Sequence, residues 1–184
     1  HRAGGQADAF IAKVGPDGSQ LAYATYLGGS GDEAGEAIGI DASGNVVVAG
    51  STRSTDFPVA NPLQAMPGGG IATGASDIFV AKLSGDGTKL VYATYLGGSA
   101  DDTPTGLALD PGGRVHLSGR TLSADFPTTA KAAQRAPGGT GARGLGAGFT
   151  AAIAADGSSL LFSTYLGGRA DDTAEGIAVD PAGN

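Results

Sequence analysis

Pairs of acidic residues follow the same short motif three times in this chain. The motif is TYLGG, and two further residues separate each copy from an acid pair. The pairs are Asp32–Glu33, Asp101–Asp102 and Asp171–Asp172. Carboxylate oxygens on a glycine-rich loop are ligands that suit Ca²⁺, so one hypothesis is weak calcium binding by these six acids. The alternative is architectural. In it, the first acid of each pair caps backbone amides in a wide turn and the second faces water.

The residue types give little support to other kinds of binding or catalytic site. The chain has no cysteine, which excludes disulfides, thiolate catalysis and cysteine metal sites. Its two histidines, His1 and His116, are unrelated in the sequence and predict neither a metal centre nor a catalytic triad. The segment 139–144 spells G-x-G-x-x-G, but it lacks the strand and helix that a dinucleotide fingerprint requires. We therefore expect no cofactor other than Ca²⁺, and no catalytic residues.

Charge and hydropathy narrow the class of partner. The net charge is −7, and nucleic-acid phosphates demand a basic surface. No apolar run approaches the roughly 20 residues of a membrane-spanning helix. We expect neither nucleic-acid binding nor a membrane span.

The acid pairs belong to an internal repeat. Tyr26, Tyr95 and Tyr165 are 69 and 70 residues apart, and the residues around them align over nearly the whole chain. This period divides the chain into repeat 1 (8–76), repeat 2 (77–146) and a partial repeat 3 (147–184). About two and two-thirds repeats are therefore present.

Each repeat contains four short candidate strands bounded by turn residues. Asp41, Asp110 and Asp180 open tight turns of the type that Asp favours through its own side-chain hydrogen bond. The order is strand, tight turn, strand, long loop, strand, tight turn, strand, glycine-acid loop, with no helix of ten residues. This order predicts an all-β chain of four-stranded antiparallel meanders, and their repetition in series predicts a β-propeller.

Two sets of aromatic residues are assigned to packing. Phe57 and Phe126 of the D-F-P triplets are predicted to fill the gap between neighbouring blades. The three tyrosines of TYLGG end the strand predicted to be outermost, with the ring packed and the hydroxyl in water.

Several motifs together resemble a known family. They are S-x-D-F-P, TYLGG-x-x-D-D, GIAVDPAGN and an F-x-A-K strand followed by a D-G turn. They resemble the SBBP repeat, named for a seven-bladed beta-propeller, and more weakly the NHL-type propeller repeat. The resemblance implies a propeller found mostly in bacterial surface or secreted proteins, generally without an assigned activity. The third repeat departs from the pattern at Ala147, Ala152 and Arg169.

Three functions are consistent with these observations. The first is a non-catalytic scaffold or interaction module of a larger secreted or cell-surface bacterial protein. Its partner would be a protein or a glycan, and the remaining blades would belong to the same polypeptide. The second is a propeller that binds Ca²⁺ or a glycan through the acidic loops. The third is an enzyme whose active site lies on the loop face, completed by further blades. The long loops 59–76 and 128–146 share that face with the acids.

Overall fold

The computed structural model describes residues 4–69, 74–138 and 146–184. Ten strands are present: β1 (Ala9–Val14), β2 (Leu21–Leu27), β3 (Glu33–Ile40), β4 (Val46–Thr52), β5 (Asp77–Leu83), β6 (Leu90–Leu96), β7 (Asp102–Leu109), β8 (Val115–Thr121), β9 (Ala147–Ile153) and β10 (Leu160–Leu166). The described residues contain no helix. The G-x-G-x-x-G segment lies outside these residues.

The strands form three antiparallel sheets in chain order. β1 and β2 form a hairpin, β3 to β6 form one four-stranded meander, and β7 to β10 form another. We call them the hairpin sheet, blade 1 and blade 2. All pairings are antiparallel between neighbours along the chain. The predicted fold class is confirmed: the chain forms consecutive blades of a β-propeller.

The boundaries of the sheets do not coincide with the boundaries of the sequence repeats. Each four-stranded sheet takes its first two strands from one predicted repeat and its last two from the next. The glycine-acid loops therefore run from the last strand of one sheet to the first strand of the next. We call these loops joints: the first joint is 28–33, the second is 97–102 and the third is 167–172. The repeat bounds 8–76, 77–146 and 147–184 stay a prediction.

Tight turns at one end of the sheets use the predicted aspartates. Asp41 Oδ1 accepts hydrogen bonds from the amides of Ser43 and Asn45, each at 2.9 Å. Asp110 and Asp180 accept the equivalent bonds in their own turns. The glycine of each turn has a positive φ, which costs glycine nothing. The structural role predicted for these three aspartates is confirmed.

The apolar core lies between the sheets. One cluster joins the facing sides of blade 1 and blade 2 and includes Val47, Val80, Leu117 and Phe149. A second joins the hairpin sheet to blade 1 and includes Ile11. Alternate strand residues face these interfaces because side chains alternate across a sheet. Burial between sheets, rather than within one sheet, therefore holds the blades together.

The long loops cover the outer strands. In blade 1 the loop after β4 pairs Ala60 with Ala93 of β6, and the Gln64 carbonyl accepts the Tyr95 amide at 3.1 Å. In blade 2 the Gln134 carbonyl accepts the Tyr165 amide at 3.0 Å. An uncovered outer strand would offer unpaired backbone groups to other chains. The described parts of these loops therefore protect the edge of each blade.

A lysine links neighbouring sheets at the turn end. Lys82 Nζ lies 2.8 Å from Asp41 Oδ2 within blade 1 and 3.2 Å from the Ala155 carbonyl oxygen of blade 2. Both charged side chains are largely removed from solvent. Burial alone raises the pKa of Asp41, but hydrogen bonds from Lys82 and Asn45 outweigh it and hold that pKa at about 2.

This ion pair makes stability depend on acid pH. Because the pKa of Asp41 is lower folded than its ordinary value near 3.9, ionised Asp41 stabilises the fold above about pH 4. That contribution, about 1–2 kcal/mol, is lost as pH falls through about 2. We expect Lys82→Met to lower the free energy of unfolding at neutral pH and to flatten its dependence between about pH 5 and 2. Urea unfolding across this range measures both effects. Lys13→Met is the control, because Lys13 bonds only a carbonyl, that of Gly85; an equal effect there would contradict the assignment.

Candidate functional site

The first acid of each joint caps backbone amides, as predicted. Asp32 Oδ1 accepts the amides of Gln6 at 2.6 Å and Ala7 at 3.2 Å. Asp101 Oδ1 accepts the amide and the hydroxyl of Ser76, each at 2.9 Å. The Gln6 amide is the main cause that lowers the pKa of Asp32. These acids tie the joint to the chain segment just before the next-to-last strand of the sheet that the joint leaves, β1 for Asp32 and β5 for Asp101.

Asp171 repeats the cap with an added cation. Its Oδ1 accepts the Gly146 amide at 2.6 Å and Arg120 Nη2 at 2.7 Å. The Arg120 hydrogen bond lowers the pKa of this carboxyl. All three first acids are therefore occupied by the protein itself.

The second acid of the first two joints does not face water, so that part of the prediction was wrong for Glu33 and Asp102. Glu33 is the first residue of β3, and Asp102 is the first residue of β7; their relative exposures are 4% and 0%. Glu33 Oε2 accepts the Gly29 amide at 2.9 Å, and Asp102 Oδ2 accepts the Gly98 amide at 2.7 Å. The acid folds back over its own loop because the strand begins at the acid itself, before the apolar residues that indicate a strand in the sequence.

The S-x-D-F-P motif closes the joint from the other side. Ser54 Oγ donates to Glu33 Oε1 at 2.5 Å and accepts the Gly31 amide at 2.8 Å. Asp56 Oδ1 accepts both the amide and the hydroxyl of Ser30, at 2.7 and 2.8 Å. Ser123 and Asp125 make the same kinds of contact at the second joint. The motif and the acid loop are thus two halves of one hydrogen-bonded unit.

The hydroxyls of Tyr95 and Tyr165 are buried, which corrects for these two residues the prediction that the tyrosine hydroxyls lie in water; Tyr26 is 55% exposed. Tyr95 is 1% exposed; its hydroxyl donates to the Ser54 carbonyl at 2.9 Å and accepts the Phe57 amide at 2.9 Å. Tyr165 makes the same pair of bonds to Ser123 and Phe126. Burial raises the pKa of Tyr95 to about 12. The loop after the second strand of each blade crosses over the tyrosine, which sequence spacing alone does not show.

The phenylalanines of D-F-P pack as predicted. Phe57 is 2% exposed and stacks on Phe79 with ring centroids 4.7 Å apart. Phe126 is 3% exposed, and its ring centroid lies 4.6 Å from that of Phe149. Each belongs to the apolar cluster between two sheets. Their predicted role in packing between blades is confirmed.

A second carboxylate meets the buried acid at two of the joints. A Cβ placed on Gly97 would lie 2.8 Å from Asp77 Oδ1 and 2.9 Å from Asp102 Oδ2. A Cβ on Gly28 would lie 2.5 Å from both Asp8 Oδ1 and Glu33 Oε2. The two carboxylates of each pair therefore converge over a glycine, and a residue with a side chain would collide with both of them. In the third repeat Ala147 removes one of the two acids.

The pair at the second joint is strongly perturbed. Asp77 and Asp102 are fully buried, and each has one oxygen, Oδ1, without a hydrogen-bond partner. Burial raises the pKa of Asp77 to about 6 and that of Asp102 to about 7. The negative charge of Asp77 adds to the rise at Asp102. Burial thus favours the protonated form of these two acids, unlike that of acids on a solvated surface.

Sequence reasoning singled out the six acids but missed their hydrogen-bond and carboxylate partners. Asp8, Asp77 and the serine of S-x-D-F-P carry much of the geometry. The available signal was the recurrence of an aspartate at the same place in the first two repeats and of S-x-D-F-P in both. No group of three or more His, Cys, Asp or Glu side chains suited to a metal occurs among the residues described. Calcium binding by Asp32, Glu33, Asp101, Asp102, Asp171 and Asp172 stays a prediction.

His116 takes no part in this face of the molecule. It lies 3.8 Å from Asp110 Oδ2 at the turn end, where its side chain is buried against Phe162.

The architecture and the joints define the class of protein before any comparison. Four-stranded antiparallel sheets, linked last strand to first through a hydrogen-bonded joint, are blades of a β-propeller. The family model of the SBBP repeat, a beta-propeller repeat, matches residues 22–58 and 91–127. Two segments of the chain are thus similar to the SBBP repeat, and each matched segment contains one joint together with its S-x-D-F-P motif. No curated protein matches the chain.

The described part of the chain contains no helix long and apolar enough to cross a membrane.

Proposed function

We propose that this propeller is a non-catalytic scaffold and interaction module within a larger secreted or cell-surface bacterial protein. The observation that carries the proposal is the use of the repeated polar residues. The acids, serines and tyrosines of the joint and of S-x-D-F-P bond to backbone amides and carbonyls that hold sheets together. Residues committed to architecture in this way are poorly placed to act on a substrate.

The loop face is the surface that suits a partner. The long loops after β4 and β8 lie at the same end as the joints, and they diverge where the repeats otherwise match. The first of them exposes Met66, at 65% relative exposure, and Val59, at 38%. Divergent loops on a rigid sheet scaffold are the usual place for specific contacts. A protein or a glycan is the partner class that we assign to this face.

Two statements of the proposal are tested in the intact protein: that the loop face binds a partner, and that the protein is secreted or lies at the cell surface. A photo-crosslinking amino acid replaces Met66 on the loop face, and a second variant carries it at the exposed Ser43 in a turn at the opposite end. We expect partner adducts from position 66 and none from position 43, in an extracellular or surface fraction of bacterial cells. Equal labelling at both positions, or an exclusively intracellular location, would contradict the proposal.

A further inference from the structure

The second joint buries two carboxyl groups without a balancing cation among the described residues. Asp77 and Asp102 are each 0% exposed, and both have an Oδ1 without a hydrogen-bond partner in the described part of the chain. The ion pairs among the described residues involve Asp41, Asp110 and Asp171, and none involves these two acids. Another acid, Asp125, adds to the rise in the pKa of Asp77. Buried like charges are costly unless something positive neutralises them.

We propose that a Ca²⁺ ion binds between Asp77 and Asp102 at the second joint, and that a second ion binds between Asp8 and Glu33 at the first. The donors are carboxylate oxygens only, which hard cations prefer and which soft transition metals do not. Two carboxylates match the charge of a divalent ion. Backbone carbonyls and water can complete the six to eight ligands that Ca²⁺ takes. The proposal goes beyond the interaction function, because it concerns how the sheets are joined whatever partner binds.

The geometry over Gly97 favours a site rather than an accidental clash. Asp77 Oδ1 and Asp102 Oδ2 lie 2.8 and 2.9 Å from the position that a Cβ at Gly97 would take, so the two carboxylates face each other there. Asp77 Oδ2 accepts the Gly68 amide and Asp102 Oδ2 accepts the Gly98 amide, each at 2.7 Å. Carboxylates that backbone amides hold in place beside each other are a pre-organised ligand set.

Recurrence of the pair gives independent support. At the first joint both oxygens of Asp8 are buried without partners, and Asp8 faces Glu33 over Gly28. The pair is therefore kept although one acid changes from Asp to Glu. At the third joint, where Ala147 stands in place of the first acid, Asp172 is only partly buried and keeps its bond to the Gly168 amide. Two complete sites and one incomplete site are thus present.

In this proposal the ion is not bound by the two adjacent acids of a joint, as the sequence-based hypothesis expected. The adjacent pair Asp101–Asp102 does not act as a unit, because Asp101 is occupied by the amide and hydroxyl of Ser76. The partner of Asp102 is Asp77, distant in sequence and brought close by the return of the chain along β5. A proton is the rival neutraliser. The two carboxyl groups could share one proton, as close carboxylate pairs do, and the pair would then keep a single negative charge.

Calcium binding is measured on the purified chain after treatment with a chelator, at about pH 7.5. Calorimetric titration with CaCl₂ is expected to give two ions per chain, and the thermal midpoint is expected to rise by about 4 °C or more at about 10 mM Ca²⁺. Asp77→Asn keeps an oxygen to accept the Gly68 amide but lowers the charge, so one ion should remain. Asp172→Asn is the matched control at the incomplete joint, and it should bind as the unchanged chain does.

A second readout covers the case in which Asp77→Asn fails to fold. Tb³⁺, which takes the same oxygen ligands, is titrated into the unchanged chain and excited through tyrosine, the chain having no tryptophan. Saturable luminescence that Ca²⁺ displaces supports the site. Absence of saturable binding by both methods overturns it. Binding that Asp77→Asn and Asp102→Asn leave unaltered also overturns it. A third result would also overturn it: the fold becomes more stable when the pH is lowered from about 8 to 5, and Ca²⁺ adds nothing to this. That result would identify a proton as the group that neutralises the acids.

Discussion

Tyr95→Phe is expected to lower the free energy of unfolding by about 2–5 kcal/mol, although it removes a single oxygen atom. The hydroxyl joins two backbone groups of one crossing loop: it donates to the Ser54 carbonyl and accepts the Phe57 amide, both at 2.9 Å. Tyr95 is 1% exposed, so water cannot replace the lost oxygen. Each buried backbone group left without a partner costs about 1–3 kcal/mol.

The consequence of this change extends beyond the tyrosine. The loop that it holds carries Ser54 and Asp56, which bond the first joint. Phe57 of the same loop stacks in the apolar cluster between the hairpin sheet and blade 1. Loosening the loop therefore weakens the link between sheets as well as the blade itself. We expect the loss in denaturant midpoint to be accompanied by faster amide exchange at Gly31, whose amide donates to Ser54.

The chain supplies a matched control for this prediction. Tyr26 is the equivalent residue of the first TYLGG motif, but it is 55% exposed and its hydroxyl has no hydrogen-bond partner among the described residues. Tyr26→Phe should change the free energy of unfolding by less than about 0.5 kcal/mol. Tyr165→Phe, in blade 2, should match Tyr95→Phe, because Tyr165 makes the same two bonds. Similar small effects at all three positions would contradict the role assigned to the hydroxyl.

Gly119→Ala is expected to be at least as damaging, with a loss above about 3 kcal/mol or a failure to fold. A methyl group on Gly119 would overlap the carbonyl oxygen of Thr103 on the paired strand β7, and it would lie 2.6 Å from Phe149 Cε1. The Phe149 ring cannot move away, because it is fully buried and packs on Phe126. The backbone of the sheet would have to shift, which close-packed interiors resist.

A second glycine tests whether the effect is steric. A methyl group on Gly176 would have no atom within 4 Å, and this glycine has no positive φ, so Gly176→Ala meets no obstacle. We expect that variant to unfold within about 0.5 kcal/mol of the unchanged chain. Gly50 occupies the equivalent place in blade 1, under Phe79, and Gly50→Ala should reproduce the loss seen at Gly119. Thermal unfolding of the three variants measures these effects. If Gly119→Ala is as stable as the unchanged chain, the prediction is contradicted and the strands of the sheet can move apart to fit the methyl group.

The similarity to the SBBP repeat rests on motifs that can be read directly from the sequence. TYLGG, the acid pair and S-x-D-F-P recur at fixed spacing, and the match to the SBBP repeat falls on the same residues. The spacing alone does not reveal that these motifs contact one another. Ser54 reaches Glu33 across 21 residues, and Asp77 faces Asp102 across the whole third and fourth strands of blade 1. Such contacts depend on how the chain returns through the sheet.

The sequence by itself determined the local structure of this protein. Alternation of apolar residues set the strands, and Asp and Gly at the turns set the hairpins, because both depend on neighbours within a few residues. Only the tertiary structure decided which polar groups are buried. The second acid of each joint was expected in water, yet Glu33 and Asp102 lie beneath loops that arrive from distant parts of the chain. The hydroxyl of Tyr95 was misplaced for the same reason: burial is a property of the packed sheets, and the two neighbours of a residue do not reveal it.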